Sequence, residues 1–209
     1  MRYILASGSP RRRELMKEIS EDFEVTVSDI DERALEEELE KSFAFKDMHE
    51  MACQMVRELS KRKALDVFSK LQSADNTVVI GADTTVALSD EILGKPRDRA
   101  DAVRMLKKES MEHQTVYTGV TLVKEKDGKP VTRAFVEETE VIFKPLTPLQ
   151  EERIEKYCDT DSPYDKAGAY GIQDESSSLV EGYIGDFSNI VGFPVSRVKR
   201  ELESFIVEN

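Results

Sequence analysis

The chain has 209 residues, of which 39% are apolar and 34% charged, and its 42 acidic against 30 basic side chains give a formal charge of −12. That length carries one sizeable core, while the acidic excess repels a nucleic-acid polymer at long range and still admits a single nucleotide into a locally basic pocket. No apolar run nears the roughly 20 residues of a membrane span, and "YILA" is too short for a secretory signal, so a cytoplasmic protein without a membrane partner is expected.

In chain order, "YILAS" (3–7) reads as a short buried strand, followed by Ser9 as N-cap and Pro10 at the first helical position. The helix continues through Leu15, Met16 and Ile19, and "FEVTV" (23–27) reads as a strand. "DERALEEELE" (31–40) has the look of a solvated helix face. A long helix spans about 47–71, its Met48, Met51, Met55, Leu59 and Val67 near one side as core. "TVVIGADTTVAL" (77–88) is the strongest strand, closed by a turn at 89–91 and continued in "ILG", and Asp98 caps the next helix. "TVYTGVTLV" (115–123) alternates, with Val116, Val120 and Leu122 on one face; the Asp-Gly pair in "KDGK" turns the chain back, and "EVIF" (140–143) closes the return strand. Thr147-Pro148-Leu149-Gln150 forms a capping box that starts a helix. "SPYDKAGAYGIQ" (162–173) reads as a glycine-punctuated loop running into a strand, "SLVEGYIG" (178–185) as strand and turn, and "FPVSRVKRELESF" (193–205) as an amphipathic closing helix. The expected fold is α/β: a mixed twisted sheet flanked by helices, with residues 1–209 forming one domain around a cleft.

Asp83 lies inside an apolar strand, where an ionised carboxylate costs several kcal/mol unless a cation, metal or donor set meets it. Gly81 and Ala82 leave room for a close approach to the backbone. A catalytic carboxylate and a structural one paired with a nearby Lys or Arg remain equal readings at this point. "SGSPRRR" (7–13) joins two serine hydroxyls, a flexible glycine, the free amides of a helix start and guanidinium groups. Three arginines there oppose the helix dipole by roughly 0.3–1 kcal/mol each unless an anion binds. Successive helical residues diverge by about 100°, so one or two of the arginines bind and at least one faces solvent. This reads as a phosphate site.

In "DKAGAYGIQ" (165–173), Asp165 and Lys166 sit beside Gly168 and Gly171, Tyr170 offers a flat face to a base, and Gln173 supplies one donor and one acceptor; an ordinary surface loop is the competing reading. Lys63, with Lys61 and Arg62, would alone be a solvated basic face, and Lys95 in "GKP" is weak by itself. Cys53 and Cys158 read as free core thiols. His49 and Cys53 have the i, i+4 spacing of a helical metal pair, but no second pair accompanies them, so an ordinary helix face is the reading taken; His113 also reads as structural. Neither a Walker A pattern nor G-x-S-x-G occurs.

"LASGSPRRRELM", "IGADTTV", "GKPRDRADAVRML", "TGVTLV", "ETEVIFKPL", "DKAGAYGIQ" and "GDFSNIVGFP", in that order from residue 5 to 194, resemble the Maf family of nucleoside triphosphate pyrophosphatases. The resemblance implies two lobes around a nucleotide cleft, related to the inosine-triphosphate pyrophosphatase architecture. It further implies hydrolysis of a nucleoside triphosphate to monophosphate and pyrophosphate, dependent on Mg²⁺ or Mn²⁺, in the branch acting on dTTP and UTP. Carried over by residue, it puts Asp83 at the catalytic position as proton acceptor and Arg11, Thr84 and Gln173 at specificity positions. Ser7, Arg12, Lys63 and Lys95 fall at other polar cleft positions, Lys166 joins them as a substrate-binding lysine of the loop, and Asp83 and Glu32 are the expected metal ligands. A homodimer is left open. The rival readings are a house-cleaning pyrophosphatase for non-canonical purine triphosphates and a nucleotide-binding regulator of division without turnover.

Overall fold

The computed structural model describes residues 1–44, 46–173 and 175–208. The strand β1 (Arg2–Ala6) ends in three buried residues and delivers the chain through Ser7-Gly8-Ser9 into α1 (Pro10–Met16). Ser9 accepts from the Arg12 amide as N-cap, and Pro10 sits where a missing N–H costs nothing. The next strand, β2 (Glu24–Val25), keeps only two of the five expected residues. Asp31 and Asp47 then cap α2 (Glu32–Phe43) and α3 (Met48–Ser69). Of the predicted apolar stripe, Met55, Leu59 and Val67 are buried, whereas Met48 and Met51 are only half-buried.

After β3 (Thr77–Ala87) come β4 (Ile92–Leu93) and α4 (Arg99–Glu109), capped by Asp98 as expected. The long hairpin of β5 (Gln114–Lys126) and β6 (Lys129–Phe143) turns at Asp127 and Gly128, both at positive φ, as a two-residue hairpin turn requires. Apart from its first residues and its tip, β5 is buried on both faces rather than alternating, because helices cover both sides of it. Thr147 caps α5 (Pro148–Cys158), but Gln150 does not return the bond; its Nε2 donates to the Leu179 carbonyl instead. Residues 162–173 form short 3₁₀ turns (162–165 and 167–169) and run into no strand; a further turn at 175–179 precedes β7 (Val180–Ile184). The chain closes with α6 (Phe187–Val191) and α7 (Val195–Val207). No side chain caps α7, so its buried Val195, Val198, Leu202 and Phe205 hold it in place, each stabilising by roughly 1.5–3 kcal/mol on burial.

The seven strands form one mixed sheet in the order β2-β1-β3-β5-β6-β7, with β4 beside the end of β3. β1 is parallel to β2 and β3, and the remaining pairs are antiparallel. The helix α3 crosses one face over Ile4, Val79 and Val123. On the rest of the sheet two clusters divide the core: α7 packs over Leu5, Ile80 and Leu122, while α4 and α5 pack with Val86, Val116 and Val141. The strand pairing breaks where these clusters part. β1 stops at Ala6, opposite Gly81, and the pairing with β4 begins at Val86, so the edge of β3 from Ala82 to Thr85 has no strand beside it among the described residues. That gap, at the carboxyl end of a parallel strand, is where open α/β sheets admit ligands.

Candidate active site

A cavity of about 800 Å³ opens at the gap, within the range of small-ligand sites. The walls are the start of α1, one face of α2, the middle of α3, the β3 edge, the segment after β4, the turns near 165–173, and the end of α6.

Two glycines set its floor. A Cβ on Gly81 would stand 2.3 Å from the Ser60 carbonyl oxygen, and one on Gly119 would stand 2.3 Å from that of Val56. The space that the sequence offered beside Asp83 is therefore filled by α3, not by ligand. This close approach drops Lys63 onto the strand: its Nζ donates to Asp83 Oδ1 at 2.7 Å and to Glu32 Oε2 at 2.7 Å. Lys63 is 5% and Asp83 8% exposed, so the expected solvated lysine is a buried counter-ion. Breaking such a pair from one side typically costs about 3–5 kcal/mol. Asp83 Oδ2 and Glu32 Oε1 have no hydrogen-bond partner among the described residues, and both residues line the cavity.

The helix α2 is mostly solvent-exposed, as its charge pattern predicts, and one side of it also borders the cavity. Glu32, Arg33, Glu36 and Glu40 line the cavity, because the i, i+4 spacing stacks Glu32, Glu36 and Glu40 along one side. Burial raises the Glu36 pKa, and the charges of Asp83 and Glu32 raise it further. Three carboxylates thus face the Lys63 ammonium, a surplus of negative charge on hard oxygen donors that suits a small divalent cation.

The arginines of α1 separate as helical geometry requires. Arg13 is exposed, and Arg11 and Arg12 turn to the cavity. Arg12 is committed within the protein: Nε donates to Gly192 O at 2.8 Å, Nη1 to Ala82 O at 2.9 Å, and Nη2 to Thr84 Oγ1 at 2.8 Å. Burial lowers its pKa, an effect opposed by Asp83 and Glu32. The guanidinium therefore takes the place of a missing strand, satisfying the bare Ala82 carbonyl. Gly192, at φ +111°, turns its carbonyl to Arg12 from the end of α6. Thr84 extends the network to Thr118 Oγ1 at 3.0 Å. Ser7, 7% exposed, holds the loop by accepting from the Ser9 amide.

Arg11 Nη1 pairs with Asp165 at 3.1 Å, joining α1 to the opposite rim. Although burial raises it, the Asp165 pKa is held below the usual range by Lys166 and Arg11. Lys166 Nζ donates to Ser162 Oγ at 3.2 Å and to Asp165 at 2.8 Å, so it ties its own loop together. Gln173 is exposed at the cavity rim, and Lys95 is exposed on the wall, with neither ion pair nor hydrogen bond among the described residues. Tyr170 is not an open platform: its ring is 5% exposed and meets Phe143 edge-on at 5.0 Å. Beneath this rim lies Glu109, 1% exposed, with neither carboxyl oxygen hydrogen-bonded among the described residues, against Gly168 at φ +70°. Burial pushes its pKa well above the ordinary value.

The arrangement brings together Arg11, Arg12, Glu32, Lys63, Asp83, Thr84, Lys95, Lys166 and Gln173 around one cavity, while Ser7 is not part of its lining and lies buried behind Arg12, whose Nη1 donates to Ser7 Oγ at 3.4 Å; Glu36 and Glu40 were missed, although their four-residue repeat after Glu32 was a readable signal. A carboxylate, cations and a helix start meeting at a sheet gap define a site for a phosphorylated small molecule. The family described as Maf-like protein matches residues 2–205, and the chain belongs to it. A protein of Acetivibrio thermocellus called dTTP/UTP pyrophosphatase is 44% identical over 209 residues, covering 98% of this chain and 96% of that protein. Proteins of the same name from Clostridium botulinum (strain Kyoto) and Thermoanaerobacter sp. (strain X514) are 43% and 42% identical, covering 95% and 97% of this chain and 94% and 98% of their own.

Proposed function

We propose that this chain hydrolyses dTTP and UTP to the nucleoside monophosphate and pyrophosphate, with residues 1–209 acting as one catalytic domain in the cytoplasm. The observation that carries the reading is Asp83, held by Lys63 at a sheet gap and sharing one cavity with Ser9, Arg11 and Arg12 at the start of α1.

In this reading a water attacks the α-phosphorus, and Asp83 Oδ2, the oxygen not bonded to Lys63, accepts its proton. The triphosphate lies along the Ser7-Gly8-Ser9 loop, where helix-start amides favour anions, and Arg11 leaves Asp165 to meet it. Lys95 neutralises the departing pyrophosphate. Arg12 holds the loop and the Ala82 carbonyl in place while contributing positive charge. Glu32 Oε1 and Glu36 would hold a divalent cation, Mg²⁺ or Mn²⁺, beside Asp83; bound there, it would supply charge neutralisation at the phosphoryl oxygens. Gln173 pairs with the polar edge of the pyrimidine. Thymine and uracil differ by one methyl, worth only about 1–3 kcal/mol of discrimination in an apolar pocket, so one site serves both.

Among the described residues no helix is long and apolar enough to cross a membrane. The test is pyrophosphate release from dTTP, UTP, CTP, ITP and 7-methyl-GTP with Mg²⁺, with Mn²⁺ and with chelator. Metal-dependent release, greatest with dTTP and UTP, is the expected result. Preference for ITP would transfer the site to purines, and binding without release would make it a sensor.

A further inference from the structure

The helical pair His49 and Cys53, which lacks further ligands in the local sequence, has a third ligand in the fold. Glu138 on β6 is paired with Tyr117 on β5, and its carboxylate reaches between the two α3 side chains. Glu138 Oε2 lies 3.7 Å from His49 Nδ1 and Oε1 lies 3.9 Å from Cys53 Sγ, and the three ligand atoms all fall within 4.8 Å of one another. Zinc bonds of about 2.3 Å to sulfur and about 2.0–2.1 Å to nitrogen or oxygen place tetrahedral ligands about 3.3–3.5 Å apart. The Glu138 carboxylate thus stands within a few tenths of an ångström of ligand spacing from each partner, through a different oxygen to each, and the remaining separations, up to 4.8 Å, would close by side-chain rotation.

We propose that His49, Cys53 and Glu138 form a second metal site, for a thiophilic divalent transition ion such as Zn²⁺, on the face of the molecule where α3 crosses β5 and β6. Its ligand chemistry differs from that of the cleft. Carboxylates alone suit Mg²⁺ or Mn²⁺, whereas a thiolate with an imidazole selects zinc-like ions. The ligands also have outer support. The Tyr117 ring packs against the imidazole at 5.6 Å between centroids and holds it beside Glu138, while the Tyr117 hydroxyl, 3.1 Å from His49 Nδ1, would yield that nitrogen to the ion. Three protein ligands on a partly exposed face leave a fourth position to water. Binding deprotonates Cys53, releasing one proton to solvent, and the thiolate and Glu138 carboxylate then balance the charge of the ion. The site would clip the start of α3 to β6, strands apart from the Lys63 end of the same helix.

The test is titration of the chelator-stripped full chain with Co²⁺, a coloured stand-in for Zn²⁺. One equivalent should give the visible absorption of four-coordinate cobalt together with a thiolate-to-cobalt charge-transfer band, both bleached by one equivalent of Zn²⁺. Cys53→Ser should abolish the charge-transfer band, and His49→Ala and Glu138→Gln should each weaken binding at least about tenfold. Asp83→Asn should leave the band unchanged, which separates this site from the cleft whatever the substrate proves to be. Absence of the band in the parent chain would overturn the proposal, as would a band that survives Cys53→Ser or is indifferent to both His49→Ala and Glu138→Gln.

Discussion

Lys63 Nζ and Asp83 Oδ1 stand 2.7 Å apart with side chains 6% and 11% exposed, the ammonium also reaching Glu32 at 2.7 Å. The pair exists because α3 lies directly on the backbone of β3 and β5, and everything the cleft can do with water and phosphate begins there. Charge removal from one side is expected to be costly. Lys63→Met should destabilise the fold by about 3–5 kcal/mol, whereas Lys63→Met with Asp83→Leu should recover most of that loss. Urea denaturation of the two single variants and the double variant measures the coupling.

The glycines that permit the approach should tolerate no side chain. A Cβ on Gly81 meets Ser60 O at 2.3 Å and the Ala64 amide at 2.9 Å, backbone atoms that cannot swing aside. Gly81→Ala should cost about 1–3 kcal/mol by overpacking and lower turnover besides, because α3 lifts and carries Lys63 from Asp83. Thermal melts and steady-state rates on the same preparation would show both effects.

The sign of pH dependence at Glu109 follows from its burial. Desolvation raises its native pKa well above the ordinary value, so between the two values the folded chain keeps a proton that the unfolded chain has lost. Its contribution to stability is present at acid pH and declines as pH rises through that window. Glu109→Leu should remove the decline, leaving the variant more stable than the parent by about 1–3 kcal/mol at pH 8 with a smaller gap at pH 5. Denaturation midpoints across that range supply the check.

Gln173 stands on the rim with its amide uncommitted among the described residues. Gln173→Ala should lower kcat/KM for dTTP and UTP by about 5- to 150-fold, the equivalent of about 1–3 kcal/mol of lost pairing, and narrow their advantage over CTP. Kinetics with the three nucleotides would measure it.

The elements were largely legible because their signals are local. Ser9-Pro10, Asp98 and Asp127-Gly128 announce their caps and turn within a few residues, and the apolar run around Asp83 marked a carboxylate in need of a partner. What pairs at a distance was not legible from periodicity. Lys63 looks solvated until α3 is laid over Gly81, twenty residues from its partner. The glutamates of α2 are mostly exposed, as they look, and only the fold shows that Glu32, Glu36 and Glu40 border the cavity. Glu138 joins Cys53 across 85 residues of chain, and Arg12, read as a phosphate ligand, also braces the Ala82 edge of β3. The strand expected after Gly171 failed for another reason: glycine-permissive turns close onto the core through Gly168 and Tyr170 before any ladder forms.

Pyrophosphate release from dTTP by Asp83→Asn, at saturating nucleotide and Mg²⁺, tests the central claim most directly. The isosteric amide cannot accept the proton of the attacking water, so turnover should fall at least about 10²- to 10⁴-fold while the variant still folds and binds nucleotide. Turnover near that of the parent chain would remove Asp83 from the chemistry, and the cleft would need a different proton acceptor.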